Sequence, residues 1–220
     1  MTVWFASGNP HKKTELAAIL NAHCAPKCKV LIPAEAGVDF EPEETGSSFH
    51  ENALIKARAL YSLLEKRRPP LFTPGDPVIA DDSGICVDAL GGRPGIYSAR
   101  YAGNPHPSFP IPHSSLTSSE RNALLLEELG NNPQRSARFV CAMALMLGTE
   151  RFFLTQETLE GEIVSGPQAA QGAGGFGYDP IFFIPTLGRT LAELAEEEKN
   201  EISHRGKAGK VIAATLEVYR

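Results

Sequence analysis

Two adjacent carboxylates, Asp81 and Asp82, follow the apolar run Val78-Ile79-Ala80, which reads as a buried strand. Acids at the carboxyl end of such a strand occupy the place where α/β folds build their sites. Neighbours on an extended chain point opposite ways, so one aspartate can bind a metal while the other orients its surroundings or takes a proton. Magnesium prefers carboxylate, water and phosphate oxygens. The run Asp81-Asp82-Ser83-Gly84 has equally the composition of a surface turn. Two further acidic features are Glu43-Glu44, in the acidic loop 41–46, and Asp179, beside glycines.

Phosphate chemistry has its own candidates. Ser7-Gly8-Asn9-Pro10-His11-Lys12 lies between a strand and a helix start. Backbone N–H groups and the helix dipole favour an anion there, and Lys12 in the first turn reaches the same region. The Walker A spacing of glycine and Lys-Ser/Thr is absent. A capped helix start accounts for this turn without any ligand. Asn52 and Lys56 are one turn apart and share a helix face, which by default is solvated. Phe176-Gly177-Tyr178-Asp179-Pro180 ends a stretch with four glycines in six positions, 172–177. Such a loop lets a flat ligand approach the backbone, and Phe176 offers a stacking face; a glycine-rich hairpin with core aromatics has the same composition. His204-Arg205 carry donors suited to carbonyl oxygens or phosphate, and are otherwise ordinary surface polar residues.

The elements that must position these groups are legible in outline. Val3–Ala6 reads as a short buried strand, and Asn9 and Pro10 as the cap and first position of a helix carrying Leu16, Ile19 and Leu20. Val30–Pro33 is a second strand candidate. Ser48 and Glu51 have capping-box spacing. The helix they start carries Phe49, Ala53, Ala57, Leu60 and Leu64 on one face and should stop near Arg68, before Pro69-Pro70. The strand 78–80 should run into the Asp81–Gly84 turn, with a second extended piece at 85–90. Residues 91–119, rich in Gly, Pro and Ser, read as a long loop. Thr117 and Glu120 repeat the capping-box spacing ahead of Leu124, Leu125 and Leu129. Phe139–Met146 is apolar on both alternating sets, as in a central strand, with Arg151–Leu159 as its partner. A strand over 179–184, a helix over 190–199 and a C-terminal helix from Ser203, with Val211, Ile212 and Leu216 apolar, complete the chain. The class is α/β; the pattern leaves open whether the sheet is parallel or mixed.

Composition narrows the function. The chain has 220 residues, enough for one large domain or two lobes, with 42% hydrophobic and 21% charged residues. A net charge of −5 without an evident basic face argues against nucleic acid as a partner. No apolar run is long enough to cross a bilayer, and the N-terminus lacks the charged and apolar regions of a signal peptide. Cys24, Cys28, Cys86 and Cys141 form no C-x-x-C pair and read as reduced thiols. A cytoplasmic location is expected.

Taken together, the runs SGNPHK at 7–12, EETG at 43–46, ENALIKAR at 51–58, ADDSGICVDALGGRPGIYSARYAG at 80–103, GGFGYDPIFF at 174–183 and EEKNEISHRGKA at 197–208 span nearly the whole chain. In that order they resemble the inosine triphosphate pyrophosphatase family, the non-canonical purine NTP or dITP/XTP pyrophosphatases. The resemblance implies one domain over 1–220, built as an elongated mixed sheet with flanking helices and two lobes around a nucleotide cleft. It implies a homodimer, and hydrolysis of ITP, dITP and XTP between the α- and β-phosphates to monophosphate and pyrophosphate. Ser7, Gly8, Asn9, Pro10, His11 and Lys12 are then the triphosphate loop, and Lys56 and Ser83 phosphate contacts. Glu44 and Asp82 are then the Mg2+ carboxylates, with Asp82 also the proton acceptor. A metal-bound carboxylate is a poor free base, so Asp81 or the metal itself stays open as the activator of water. Phe176, Gly177, Tyr178, Asp179, Lys199, His204 and Arg205 are then the base and sugar pocket.

Inosine and xanthine carry a carbonyl at C6 where adenine carries an amine, so donors near His204-Arg205 would favour them. Each buried donor left unpaired costs about 1–3 kcal/mol. A related pyrophosphatase for modified pyrimidines or methylated nucleotides is the enzymatic rival, opposed by the FGYDP and SHRG segments. A nucleotide-binding regulator without turnover is a second, opposed by the presence of Glu44, Asp81 and Asp82. The proline-rich stretch 104–119 looks longer than the family's usual connection and lies outside the matched motifs.

Overall fold

Alternation along the strands sets the layers. The computed structural model describes residues 1–101, 116–172 and 174–219. Its seven strands form one sheet in the order β2-β1-β3-β4-β5-β6-β7. They are β1 (Thr2–Phe5), β2 (Lys29–Leu31), β3 (Val78–Val87), β4 (Ser136–Met146), β5 (Phe152–Ile163), β6 (Phe182–Ile184) and β7 (Arg189–Thr190). β1 pairs in parallel with β2 and β3, whereas β6 pairs antiparallel with β5 and β7. The sheet is therefore mixed, as the resemblance implied.

Two compact units divide the chain: residues 1–82, 141–157 and 204–220 form the first, and residues 83–140 and 158–203 the second. In the first unit the two faces of the strands carry different helices. Val3, Phe5, Ile79, Cys141, Met143 and Leu145 pack on α1 (Pro10–His23) and α5 (His204–Val218). Their alternates, Trp4, Ala6, Val78, Ala80, Ala142, Ala144 and Met146, pack on α2 (Phe49–Arg67). The period of two on the strands thus divides the apolar residues between two helical layers. α1 and α5 approach closely at Gly209, where a Cβ would sit 2.8 Å from the Ile19 methyl.

In the second unit one core gathers Ile85 and Val87 of β3, Ala137 and Phe139 of β4, and Leu125, Leu126 and Leu129 of α3 (Ser118–Leu129). Phe182 of β6 joins it, with its ring 4.7 Å from that of Phe139.

Several expectations hold and several do not. Asn9 caps α1, Thr117 caps α3 with both arms of its box in place, and α2 stops at Arg68 in a left-handed conformation. The Ser48 box is only half formed: Ser48 Oγ accepts from Glu51 N, but the Glu51 carboxylate accepts from Ser47 instead. β3 does not stop at Ala80. It runs for ten residues in all, through Asp81-Asp82-Ser83-Gly84 to Val87, so the surface-turn reading of that run is wrong. Asp81 is 1% exposed and Asp82 6%, because partners elsewhere in the fold replace the water a turn would have offered. Asp88–Leu90 and Asp179–Ile181 are 3-10 turns rather than strand, and the latter hands over to β6 only at Phe182. The helix expected over 190–199 is instead strand β7, a 3-10 turn at Leu191–Glu193, and α4 (Glu196–Ile202). Val211 is 42% exposed, unlike its buried neighbours Ile212 and Leu216. The loop expected over 91–119 contains a 3-10 stretch, Gly95–Arg100, and α3 begins at Ser118. Most of the proline-rich stretch 104–119 lies outside the described residues.

Candidate functional site

The first unit gathers seven charged side chains: Lys12 and Glu15 of α1, Glu44, Lys56 of α2, Asp81 and Asp82 of β3, and Arg205 of α5. β1 leads into Ser7, whose hydroxyl accepts from Asn9 N at 3.1 Å. Asn9 Oδ1 then accepts from His11 N and Lys12 N, at 2.9 and 3.3 Å, which points the first turn of α1. Lys12 reaches from that turn to Asp81, with Nζ 3.1 and 3.0 Å from the two carboxylate oxygens.

Arg205, at the start of α5, closes on Asp81 from another side. Its Nε and Nη2 both donate to Asp81 Oδ2, and Nη1 donates to Glu15 Oε2 at 2.6 Å. All three residues of this group are buried. Burial by itself raises the Asp81 carboxyl. Lys12, Arg205 and Lys56 outweigh it, and the group is held well below the usual carboxylate range. Nothing in the spacing of the sequence marks Glu15 as the second anchor of Arg205.

Asp82 has a different environment. Asn52 Nδ2 donates to its Oδ2 at 3.1 Å, and Lys56 Nζ lies 3.6 Å from its Oδ1. Lys56 Nζ also donates to Glu44 Oε1 at 2.6 Å. Burial raises the Asp82 carboxyl, Lys56, Lys12 and Asn52 only partly offset it, and Glu44 adds to the rise. The two neighbours on β3 are thereby pushed in opposite directions, Asp81 down by its cations and Asp82 up by burial. Lys56 loses by desolvation but gains more from Asp82, Asp81 and Glu44, and its ammonium is stabilised.

Glu44 and Asp82 are bridged by one ammonium, so a cation fits between them. No cluster of three His, Cys, Asp or Glu side chains with metal-ligand geometry occurs among the described residues. A carboxylate pair of this kind suits a hard ion that keeps several waters and takes substrate phosphate oxygens for the rest, as magnesium does.

In the second unit, Asp179 organises the glycine loop. Its Oδ2 accepts from Phe176 N and from Lys199 Nζ, each at 2.8 Å. A Cβ on Gly175, whose φ is +70°, would collide with that carboxylate. Lys199, on α4, lies 4.9 Å from the centre of the Phe176 ring and holds a cation against its face. Tyr178 is buried and donates its hydroxyl to Ser98 O at 2.9 Å; burial pushes its phenol up. Gly177 O accepts from Asn122 at 3.0 Å. Gly177, at φ +65°, is a further left-handed glycine in the loop.

The sequence-derived residues therefore fall into two groups. Ser7 to Lys12, Glu44, Lys56, Asp81, Asp82, His204 and Arg205 belong to the first unit, and Phe176 to Asp179 and Lys199 to the second. Ser83 follows Asp82 on β3 and opens the second unit. Arg205, expected with the base pocket, makes its contacts to Asp81 and Glu15. His204 is buried beside it. Asn52 and Glu15 were not expected at a site. Asn52 had a signal in its one-turn spacing from Lys56; Glu15 had none.

Residues 3–215 match the model of the Ham1 family. The chain is 46% identical over 208 residues to a dITP/XTP pyrophosphatase of Treponema denticola, covering 94% of each chain. It is 44% identical over 205 residues to a dITP/XTP pyrophosphatase of Geobacillus kaustophilus, covering 92% of this chain and 88% of the relative. Among solved structures, the Ham1 protein of Staphylococcus aureus superposes with a TM-score of 0.78 at 37% identity, covering 100% of both chains. The names of the Treponema and Geobacillus relatives carry the activity to which the motif runs pointed. With a match over almost its whole length, the chain belongs to the Ham1 family.

Proposed function

We propose that this protein is a magnesium-dependent pyrophosphatase that hydrolyses ITP, dITP and XTP to the monophosphate and pyrophosphate. On this reading it clears non-canonical purines from the nucleotide pool, in the cytoplasm, as a homodimer. The observation that carries the reading is the cluster at the start of α1, where Lys12 and Lys56 stand among Glu44, Asp81 and Asp82. That arrangement belongs to a site for a polyanion and a hard cation, and family membership supplies the nucleotide.

Ser7 to Lys12 bind the triphosphate through backbone N–H groups and the Lys12 ammonium. Lys56 neutralises a second phosphate, and Ser83 adds a hydroxyl. Glu44 and Asp82 hold Mg2+, which when bound would neutralise phosphate charge and acidify water. Activation of the attacking water is shared between Asp82 and the cation it would hold, since a carboxylate engaged by a metal is a weak base on its own. Asp81 keeps its charge and orders Lys12 and Arg205. The bond broken joins the α-phosphorus to the oxygen bridging to the β-phosphorus, and pyrophosphate leaves. Phe176 stacks on the base, with Asp179 and Lys199 setting the loop that carries it.

The test is pyrophosphate release from ITP, XTP, GTP and ATP, with and without Mg2+. The expected result is Mg2+-dependent turnover with ITP and XTP at least tenfold above ATP in kcat/KM, the equivalent of about 1.4 kcal/mol. Equal values for all four nucleotides would remove the selectivity, and absence of release would remove the activity. Light scattering on the same preparation reads the dimer.

A further inference from the structure

Asn52 has a side chain that is fully buried on the first turn of α2, on a face otherwise made of Ala53, Ala57 and Leu60. A buried amide is retained where both its ends are satisfied. Its two ends go to different parts of the site. Asn52 Oδ1 accepts from Gly46 N at 2.9 Å, two residues beyond Glu44. Asn52 Nδ2 donates to Asp82 Oδ2 at 3.1 Å. The opposite amide orientation would set Nδ2 against the Gly46 N–H, donor against donor, so the partners themselves fix which end is which.

We infer that Asn52 is a positioning residue that couples the Glu44-bearing loop to the Asp82 carboxylate and so sets the pair for the metal. This rests on the proposed reading of Glu44 and Asp82 as the Mg2+ carboxylates. The planar amide holds its two partners at one separation. It engages Asp82 Oδ2, while Oδ1 is the oxygen that faces Lys56. Lys56, one turn further along α2, reaches the Glu44 and Asp82 carboxylates with its charge, whereas Asn52 bonds Asp82 and the Gly46 backbone. The loop side of the link is built around a glycine. A Cβ on Gly46 would lie 2.6 Å from Asn52 Oδ1, 2.7 Å from Glu51 Cβ and 2.9 Å from Asn52 N. Any side chain there lifts the loop off the amide.

The experiment uses Asn52→Ala and Gly46→Ala, which cut the link from its two sides. Mn2+, which shares magnesium's oxygen ligands, is titrated into the nucleotide-free protein and followed by its paramagnetic resonance. The Mg2+ concentration for half-maximal ITP turnover is measured beside it. Partners that orient metal ligands are worth about 10- to 100-fold in metal affinity, and a loss of that size is expected in both assays. The KM for ITP at saturating Mg2+ should move much less. The double variant should bind Mn2+ no more weakly than the worse single variant, since both break one link. Thermal melting of the same samples reads the packing loss separately. Variants that melt earlier yet keep the wild-type Mn2+ affinity and Mg2+ requirement would reduce Asn52 to a packing residue. Should Asn52→Ala fail to fold, Gly46→Ala decides the question alone. A wild-type protein that hydrolyses ITP without Mg2+ and binds no Mn2+ would instead sink the metal assignment itself.

Discussion

The Arg205 guanidinium donates from Nε and Nη2 to one oxygen of Asp81, at 3.2 and 3.0 Å, with both side chains buried. This pair ties the start of α5 to the middle of β3, and Lys12 ties α1 to the same carboxylate. Removing one partner of a buried ion pair costs about 3–5 kcal/mol, because the other charge stays behind. Asp81→Asn should therefore lose about that much stability at pH 7 in urea unfolding. The sign with pH follows from the depressed carboxyl. Its contribution is present above its ordinary value of 3.8 and is lost as the pH falls through the lower folded value. The gap between wild type and variant should narrow in acid. A gap that is constant with pH would show that the charge on Asp81 is not what stabilises the fold.

Asp82→Asn should behave in the opposite way. Its carboxyl is raised by burial, so ionisation of Asp82 weighs against folding, and wild-type stability falls as the pH rises above 3.8. The amide removes that penalty. The expected variant releases no pyrophosphate yet unfolds at the same or higher urea concentration at pH 7. Turnover near the wild-type level would show that another group accepts the proton.

On the proposed reading, Lys56→Met removes a cation set against the substrate phosphates. Loss of one such preorganised group costs about 10²- to 10³-fold in kcat. Its amine is raised by Asp82, Asp81 and Glu44 in spite of burial, so the wild-type rate should show no titration of Lys56 below its ordinary value of 10.5. Steady-state kinetics across pH read both effects. A fall in rate between pH 8 and 10 that vanishes in Lys56→Met would contradict the assigned charge state.

Phe176→Ala should raise the KM for ITP by about tenfold, since stacking of a base on an aromatic ring is worth about 1–3 kcal/mol. kcat at saturation should change less, because on the proposed reading the ring contacts the base and not the phosphates. An unchanged KM would exclude Phe176 from the base contact.

Thiol reactivity offers an independent check on packing. Cys24, Cys28 and Cys141 are buried, and burial pushes the Cys141 thiol to about 12. At pH 8 the native protein should react first at the half-buried Cys86, itself raised by burial, and slowly elsewhere; in denaturant all four thiols should react. Rapid native labelling of Cys141, identified by peptide mapping, would mean that the β4 core opens readily.

What the sequence determined by itself was local. Caps at Asn9, Ser48 and Thr117, the stop at Arg68 and the doubly buried β4 follow from interactions within a few residues or from a period of two, and both are written along the chain. The motif runs determined the family. Tertiary structure alone decided the fate of Asp81 and Asp82. As a tetrapeptide, Asp-Asp-Ser-Gly favours a turn; as part of β3 it is extended and buried, because Lys12, Arg205, Asn52 and Lys56 arrive from three helices to satisfy it. Tertiary structure also drew Arg205 to Glu15, which lies 190 residues away along the chain. Charge pairs at such separations have no local signature, since their energy depends on distance in space and on the exclusion of water, and folding supplies both.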